Sequence, residues 1–179
     1  MGEPVSQGSS RLASLGDIQL TAEVLHEAGE LAGARGIHIA VEVHQNSIAD
    51  NSRATLHLLD LTDSAHVFAN PDLGNIYWCY DEPEEKSEDA ILALAPRSKY
   101  WHCKNLHRIH IPENERAIFL RAPLPDGEID YRFAISAMHA AGFDGYLAIE
   151  GAKEGDQLHA DRRSFEYVKE LLAEVEGAR

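Results

Sequence analysis

Four residues of this chain, Glu42, Asp72, His102 and Glu150, belong to types that bind divalent cations, and each stands at the end of a short apolar run. The first three are spaced 30 residues apart, and the interval to Glu150 is longer by 18. A spacing of about 30 residues is that of one strand-plus-helix unit. Parallel α/β folds gather the C-terminal ends of their strands on one face, where ligands bind. Three carboxylates and an imidazole gathered there repel one another unless protons or a cation intervene. A metal ion is the simplest resolution. Three oxygen donors and one nitrogen suit Mn²⁺, Mg²⁺ or Co²⁺ better than a thiolate-loving metal; manganese is the first choice, and zinc also fits the set. Each residue alone has a plainer reading, as a helix N-cap or a solvated loop side chain. The occurrence of one per strand carries the metal reading.

The elements that must position these residues follow from hydrophobic periodicity. Residues 1–16, rich in Gly and Ser, read as a flexible N-terminal segment, and 17–179 as one folded domain. From Asp17, a candidate N-cap, Leu20, Val24, Ala28, Leu31 and Ala32 trace one helical stripe that Gly36 closes. Residues 37–41 form a β-branched strand running into Glu42, and 52–61 a helix. A second strand over 65–69 leads through Asn70-Pro71 to Asp72; a helix spans 84–95; 99–103 is a third strand holding His102. The stretch from about Lys104 to Gly127 reads as long and irregular, with His107 and His110 solvated. A helix over 130–141 and a strand over 146–149 bring the chain to Glu150. A last helix, 161–176, shows Phe165, Val168, Leu172 and Val175 on its apolar face. The order α-(βα)₄ predicts a parallel sheet with right-handed crossovers, open or part of a barrel.

Composition sets the outer bounds. At 179 residues, 44% hydrophobic and 26% charged, the chain is long enough for one domain with its own core. No apolar run approaches the ~20 residues that cross a bilayer, and no signal peptide is evident, so the cytoplasm is the expected compartment. A formal charge of −14 disfavours nucleic acid as a partner. The two cysteines, Cys79 and Cys103, form no CxxC pair and are expected to be reduced and buried. Dinucleotide, phosphate-loop and nucleophile-elbow motifs are absent from the sequence.

At the strand ends the sequence resembles the xylose-isomerase-like sugar isomerases and epimerases. Val41-Glu42-Val43-His44 is similar to their E-x-H strand end, Asn70-Pro71-Asp72-Leu73-Gly74-Asn75 to an N-x-D-x-G-H/N element, and Trp101-His102-Cys103-Lys104-Asn105 to an H-x-K-D segment. Asp126–Tyr131 and Ala141–Glu150 resemble the family's final stretch, so the likeness spans residues 17–176. It implies one divalent metal held by Glu42, Asp72, His102 and Glu150. It also implies that Glu42 and Glu150 are the catalytic carboxylates, moving protons through an enediolate. On the substrate side it points to His44, to Asn75 and to Arg108, six residues after His102. Asn75 stands where many members carry histidine, a departure that loosens the link to any one sugar. Lys104 beside the strand end could also face substrate. For Arg108 and Lys104, a solvated surface charge is the competing reading.

A complete barrel of this type has eight βα units and ~250 residues. Four units are legible here, matching the C-terminal half. A parallel (βα)₄ half of a TIM barrel leaves two strand edges and an apolar face to be covered, for which a homodimer is the favoured solution and a separate chain the alternative. The expected partner is otherwise a small sugar or polyol. Three functions follow: a metal-dependent ketose isomerase or epimerase, a dehydratase or lyase of the same fold, and a half-barrel that binds metal or a partner chain without turnover.

Overall fold

The computed structural model describes residues 9–78, 85–114, 116–151 and 155–177. Cys79 and the first half of the N-terminal segment lie outside them. Four short strands run parallel: β1 (Ile39–Glu42), β2 (Val67–Asn70), β3 (Tyr100–Cys103) and β6 (Tyr146–Ile149). β1 pairs with β2, Ile39 opposite Val67 and Glu42 opposite Asn70. β3 pairs with β6, Tyr100 opposite Tyr146 and Cys103 opposite Ile149. Two isolated parallel bridges, Ala69 to Ser98 and Asp72 to His102, connect β2 to β3. The strand order is therefore 1-2-3-6, and among the described residues no strand closes it into a barrel.

Side chains alternate across these strands. Val41, Ala69, Trp101, Cys103 and Ile149 lie on one face and enter the main core with Leu59, Ile91, Ile135 and Leu171 of the covering helices. The other face carries Ala40, Glu42, Phe68, Asn70, Tyr100, His102, Tyr146 and Ala148. This is the pattern of a sheet backed by helices on one side only.

The helices are α1 (Leu15–Gly33), α2 (Ser52–Thr62), the short α3 (Leu73–Tyr77), α4 (Ser87–Leu94), α5 (Tyr131–Ala140) and α6 (Gln157–Gly177). Side-chain oxygens set most starts: Asn51 Oδ1 accepts from Ala54 N–H, and Asp130 Oδ1 from Phe133 N–H. The expectation that Asp17 caps α1 is corrected by three residues. Ser14 is the cap, and Asp17 is the reciprocal partner of a capping box, so the helix starts inside the segment read as flexible.

Two further expectations are corrected. The apolar stripe of α1 does not enter the core: Leu20, Val24 and Leu31 are 61%, 58% and 63% exposed, while Ala22 and Gly29 face inward. Small residues win that side because the helix lies close on the chain beneath; a Cβ on Gly29 would stand 2.7 Å from Val67 Cγ2. The stretch after Lys104 is not irregular. It forms an antiparallel hairpin of β4 (Asn105–Ile111) and β5 (Arg116–Ala122), with Asn105 opposite Ala122 and Ile111 opposite Arg116. Its alternation is real, but histidines and arginines interrupt the apolar positions and hide it from a hydropathy reading.

Candidate metal centre

Glu42 closes β1, Asp72 follows β2 by two residues, and His102 lies in β3. One donor atom from each falls within 4.8 Å of the others. His102 Nδ1 is 3.2 Å from Glu42 Oε1 and 4.0 Å from Asp72 Oδ2. That nitrogen is buried and, despite the short distance to Glu42, makes no aligned hydrogen bond. A buried imidazole nitrogen without a hydrogen-bond partner, facing two carboxylates, fits a divalent cation. The backbone is arranged to the same end: His102 N–H donates to Asn70 Oδ1 at 2.8 Å and to Pro71 O at 3.2 Å, replacing a ladder where β2 breaks off.

Asp72 is fully buried and, as the plainer reading of the sequence allowed, also caps a helix: its Oδ1 accepts from Asn75 N–H at 3.1 Å. Burial pushes its carboxyl up to about 6, against the opposing pull of the Lys104 ammonium. Asn75 Nδ2 lies 2.9 Å from Asp72 Oδ2, 3.0 Å from Glu42 Oε1 and 3.0 Å from Val43 O, so its two protons are shared among them. The buried Asn75 therefore spends its amide on the two carboxylates and orients them.

Lys104 is no surface charge; it is 3% exposed. Its Nζ sits 3.0 Å from Asp72 Oδ2 and 2.8 Å from Glu150 Oε2, bridging the two acids. Glu150 is thus brought beside the Glu42, Asp72 and His102 cluster, with an ammonium between. Its other oxygen, Oε1, is 3.0 Å from Arg121 Nη2. Partial burial would raise the Glu150 carboxyl, but Lys104 first and Arg121 second hold it below the usual glutamate range. Beneath Lys104, the buried Tyr131 hydroxyl donates to the Lys104 carbonyl at 2.8 Å.

The remaining expected residues are less closely gathered. His44 is exposed, and its Nδ1 lies 2.7 Å from Gln45 O. Arg108 is half-buried on β4, its guanidinium 5.5 Å from the Tyr77 ring centre, while its N–H donates to Glu128. His107 is exposed at 3.6 Å from Glu128, and His110 is exposed too. Sequence reasoning missed Arg121 and Asn70 as site residues. Asn70 stood inside a recognised motif; Arg121 lay in the stretch read as irregular, and only the alternation Ala117, Phe119, Arg121 could have flagged it.

A helix-backed parallel sheet with a carboxylate–imidazole cluster at its strand ends defines an α/β protein of barrel type with a candidate divalent-metal centre. A profile of the xylose isomerase-like TIM barrel matches residues 3–171, and the chain belongs to that family. It is 26% identical over 168 residues to an inosose dehydratase of Bacillus thuringiensis strain Al Hakam, covering 87% of this chain and 54% of the dehydratase. An inosose dehydratase of Clostridium perfringens strain 13 is 24% identical over 164 residues, 83% of this chain and 53% of that one. The chain spans about half the length of the relatives it matches. Two solved structures share the fold. A xylose isomerase-like TIM barrel protein from Mycobacterium smegmatis, in complex with magnesium, superimposes with TM-score 0.80 at 23% identity over 91% of this chain and 53% of that one. An L-ribulose 3-epimerase does so with TM-score 0.74 at 16% identity over 93% and 57%.

Proposed function

We propose that this chain is a metal-dependent isomerase or epimerase acting on a ketose, hydroxy-ketone or related polyol. The observation that carries the reading is the convergence of Glu42, Asp72 and His102 donor atoms within 4.8 Å at the ends of parallel strands. These three hold one divalent ion, manganese by preference of the donor set, and Glu150 is the proposed fourth ligand. The ion, when bound, polarises a substrate carbonyl. The chain's own groups do the rest. Glu42 and Glu150 take a proton from the carbon beside the carbonyl and return it on the opposite face. Asn75 keeps Glu42 and Asp72 in register, and His44, Lys104 and Arg108 offer polar contacts to substrate hydroxyls.

A second reading, a dehydratase, is favoured by the inosose dehydratases among the relatives. Proton abstraction beside a carbonyl is common to both; loss of a hydroxyl as water separates them. One experiment tests all of this. The Mn²⁺-loaded protein is incubated with a panel of ketoses and with inosose in D₂O and followed by NMR. Deuterium entering the carbon beside the carbonyl without loss of water supports epimerase or isomerase chemistry, whereas loss of water supports the dehydratase. Metal binding with neither outcome leaves a half-barrel without turnover and overturns the enzymatic reading.

The quaternary reading rests on separate observations. Among the described residues β1 and β6 each pair on one side only. The helices beside them present Leu20, Val24 and Leu31 on α1, and Leu158 and Phe165 on α6, 71% and 53% exposed for the last two. We propose that a second copy of the chain covers these surfaces. No helix of the described residues is long and apolar enough to cross a membrane.

A further inference from the structure

Of the two cations on Glu150, Lys104 enters the reading above only as a substrate contact and Arg121 not at all, yet both are built into the fold. Lys104 is seated by the absence of a side chain at Gly74: a Cβ there would stand 2.3 Å from Lys104 Cγ and 3.0 Å from its Cδ and Cε. Its ammonium bridges Asp72 Oδ2 and Glu150 Oε2. Arg121 reaches the other oxygen of Glu150 from the end of the β4–β5 hairpin, and its side chain is 15% exposed. The guanidinium lies 5.8 Å from the Trp78 ring centre, and Trp78 stacks on Phe119 of the same hairpin strand at 5.0 Å. Both oxygens of Glu150 are thus taken by cations. A carboxylate so engaged joins a metal only by giving up one of them, and the guanidinium on the outer hairpin has the freer path.

We propose that Arg121 is a positioning residue that competes with the metal for Glu150, so that loading the centre releases the Arg121 side chain of the hairpin from the strand end. Lys104, buried and wedged by Gly74, stays between Asp72 and Glu150. The exchange is Arg121 for the cation on Glu150 Oε1. The inference rests on the proposed metal centre and deepens it by assigning a coupling between metal occupancy and the Arg121–Trp78 contact.

The test is a Mn²⁺ titration by calorimetry on four chains: wild type, R121Q, E150Q and the double variant, with H102A as the control for the centre itself. Removal of the competitor is expected to raise Mn²⁺ affinity roughly fivefold, the upper range for one partly exposed ion pair, and the gain disappears when E150Q is present. In wild type the emission of Trp78, assigned by comparison with W78F, shifts on loading as Arg121 leaves its ring. Unchanged or weaker binding by R121Q, or the same gain in the E150Q background, overturns the proposal while leaving the centre intact, provided H102A binds poorly. Should R121Q fail to fold, a Trp78 emission that ignores Mn²⁺ overturns it equally. A wild-type chain that binds no Mn²⁺, or an H102A chain that binds as well as wild type, overturns both the centre and the coupling.

Discussion

Each side chain of the centre holds its place through a neighbour that does no chemistry. Asn75 ties Glu42 to Asp72, Asn70 fixes the His102 backbone, and Gly74 makes room for the Lys104 stem. Gly74 gives the sharpest prediction at this scale. The glycine is required by space, since a methyl group would collide with the inner part of the lysine stem, which the buried surroundings cannot let swing out. G74A is expected to lose about 1–3 kcal/mol of stability through overpacking, read as a lower urea midpoint with unchanged slope. In the G74A K104A double variant most of that loss should be recovered relative to K104A alone. A G74A chain as stable as wild type would mean that the wedge does not hold Lys104. Glu42, Asp72 and His102 were legible in the sequence because each ends an apolar run at regular spacing. Arg121 was not, because it lay in the stretch read as irregular; Lys104 was named on the substrate side, but nothing local distinguishes a lysine that bridges two acids from one that meets water.

At the scale of elements, legibility followed the strength of local signals. Strands rich in Val, Ile and Ala, and helices opened by Asn51 or Asp130, were read to within a residue or two. Failure came where tertiary contact decided. The hairpin carries His107, Arg108, His110 and Arg121 among its apolar positions, so its two strands were hidden although Asn105 to Ala122 pair in unbroken register. The stripe on α1 was seen, but its direction was not. The helix turns Ala22 and Gly29 to the core and leaves the large residues outside. Capping offers a test independent of the site. Asn51 Oδ1 accepts the Ala54 N–H of α2, a helix whose Leu58 and Leu59 are buried. N51A is expected to cost about 1 kcal/mol, a fall in Tm of about 2–4 °C for a chain of this size. No change in Tm would show that this cap does not limit α2.

At the scale of the molecule, four parallel strands backed by helices on one side form a sheet that is open at both ends among the described residues, and the distribution of exposed apolar side chains marks both. Leu20, Val24 and Leu31 lie on the helix beside β1, Leu158 and Phe165 on the helix that follows β6, and Tyr146 of β6 itself is 78% exposed. Isolated apolar residues on a surface are ordinary; rows of them flanking strand edges that pair on one side only among the described residues are what supports the proposed second copy. A second copy offers the matching edge for each, β6 of one against β1 of the other, with both strands running the same way about a two-fold axis. Light scattering should therefore give a mass near twice the 19.8 kDa of one chain. V24E with L31E, which place charges on the α1 row where a lone chain would tolerate them, should shift that mass to the monomer without unfolding it. A stable wild-type monomer would overturn the dimer. A dimer indifferent to these charges would leave α1 at its surface, and the covered face would then lie on the β6 and α6 side.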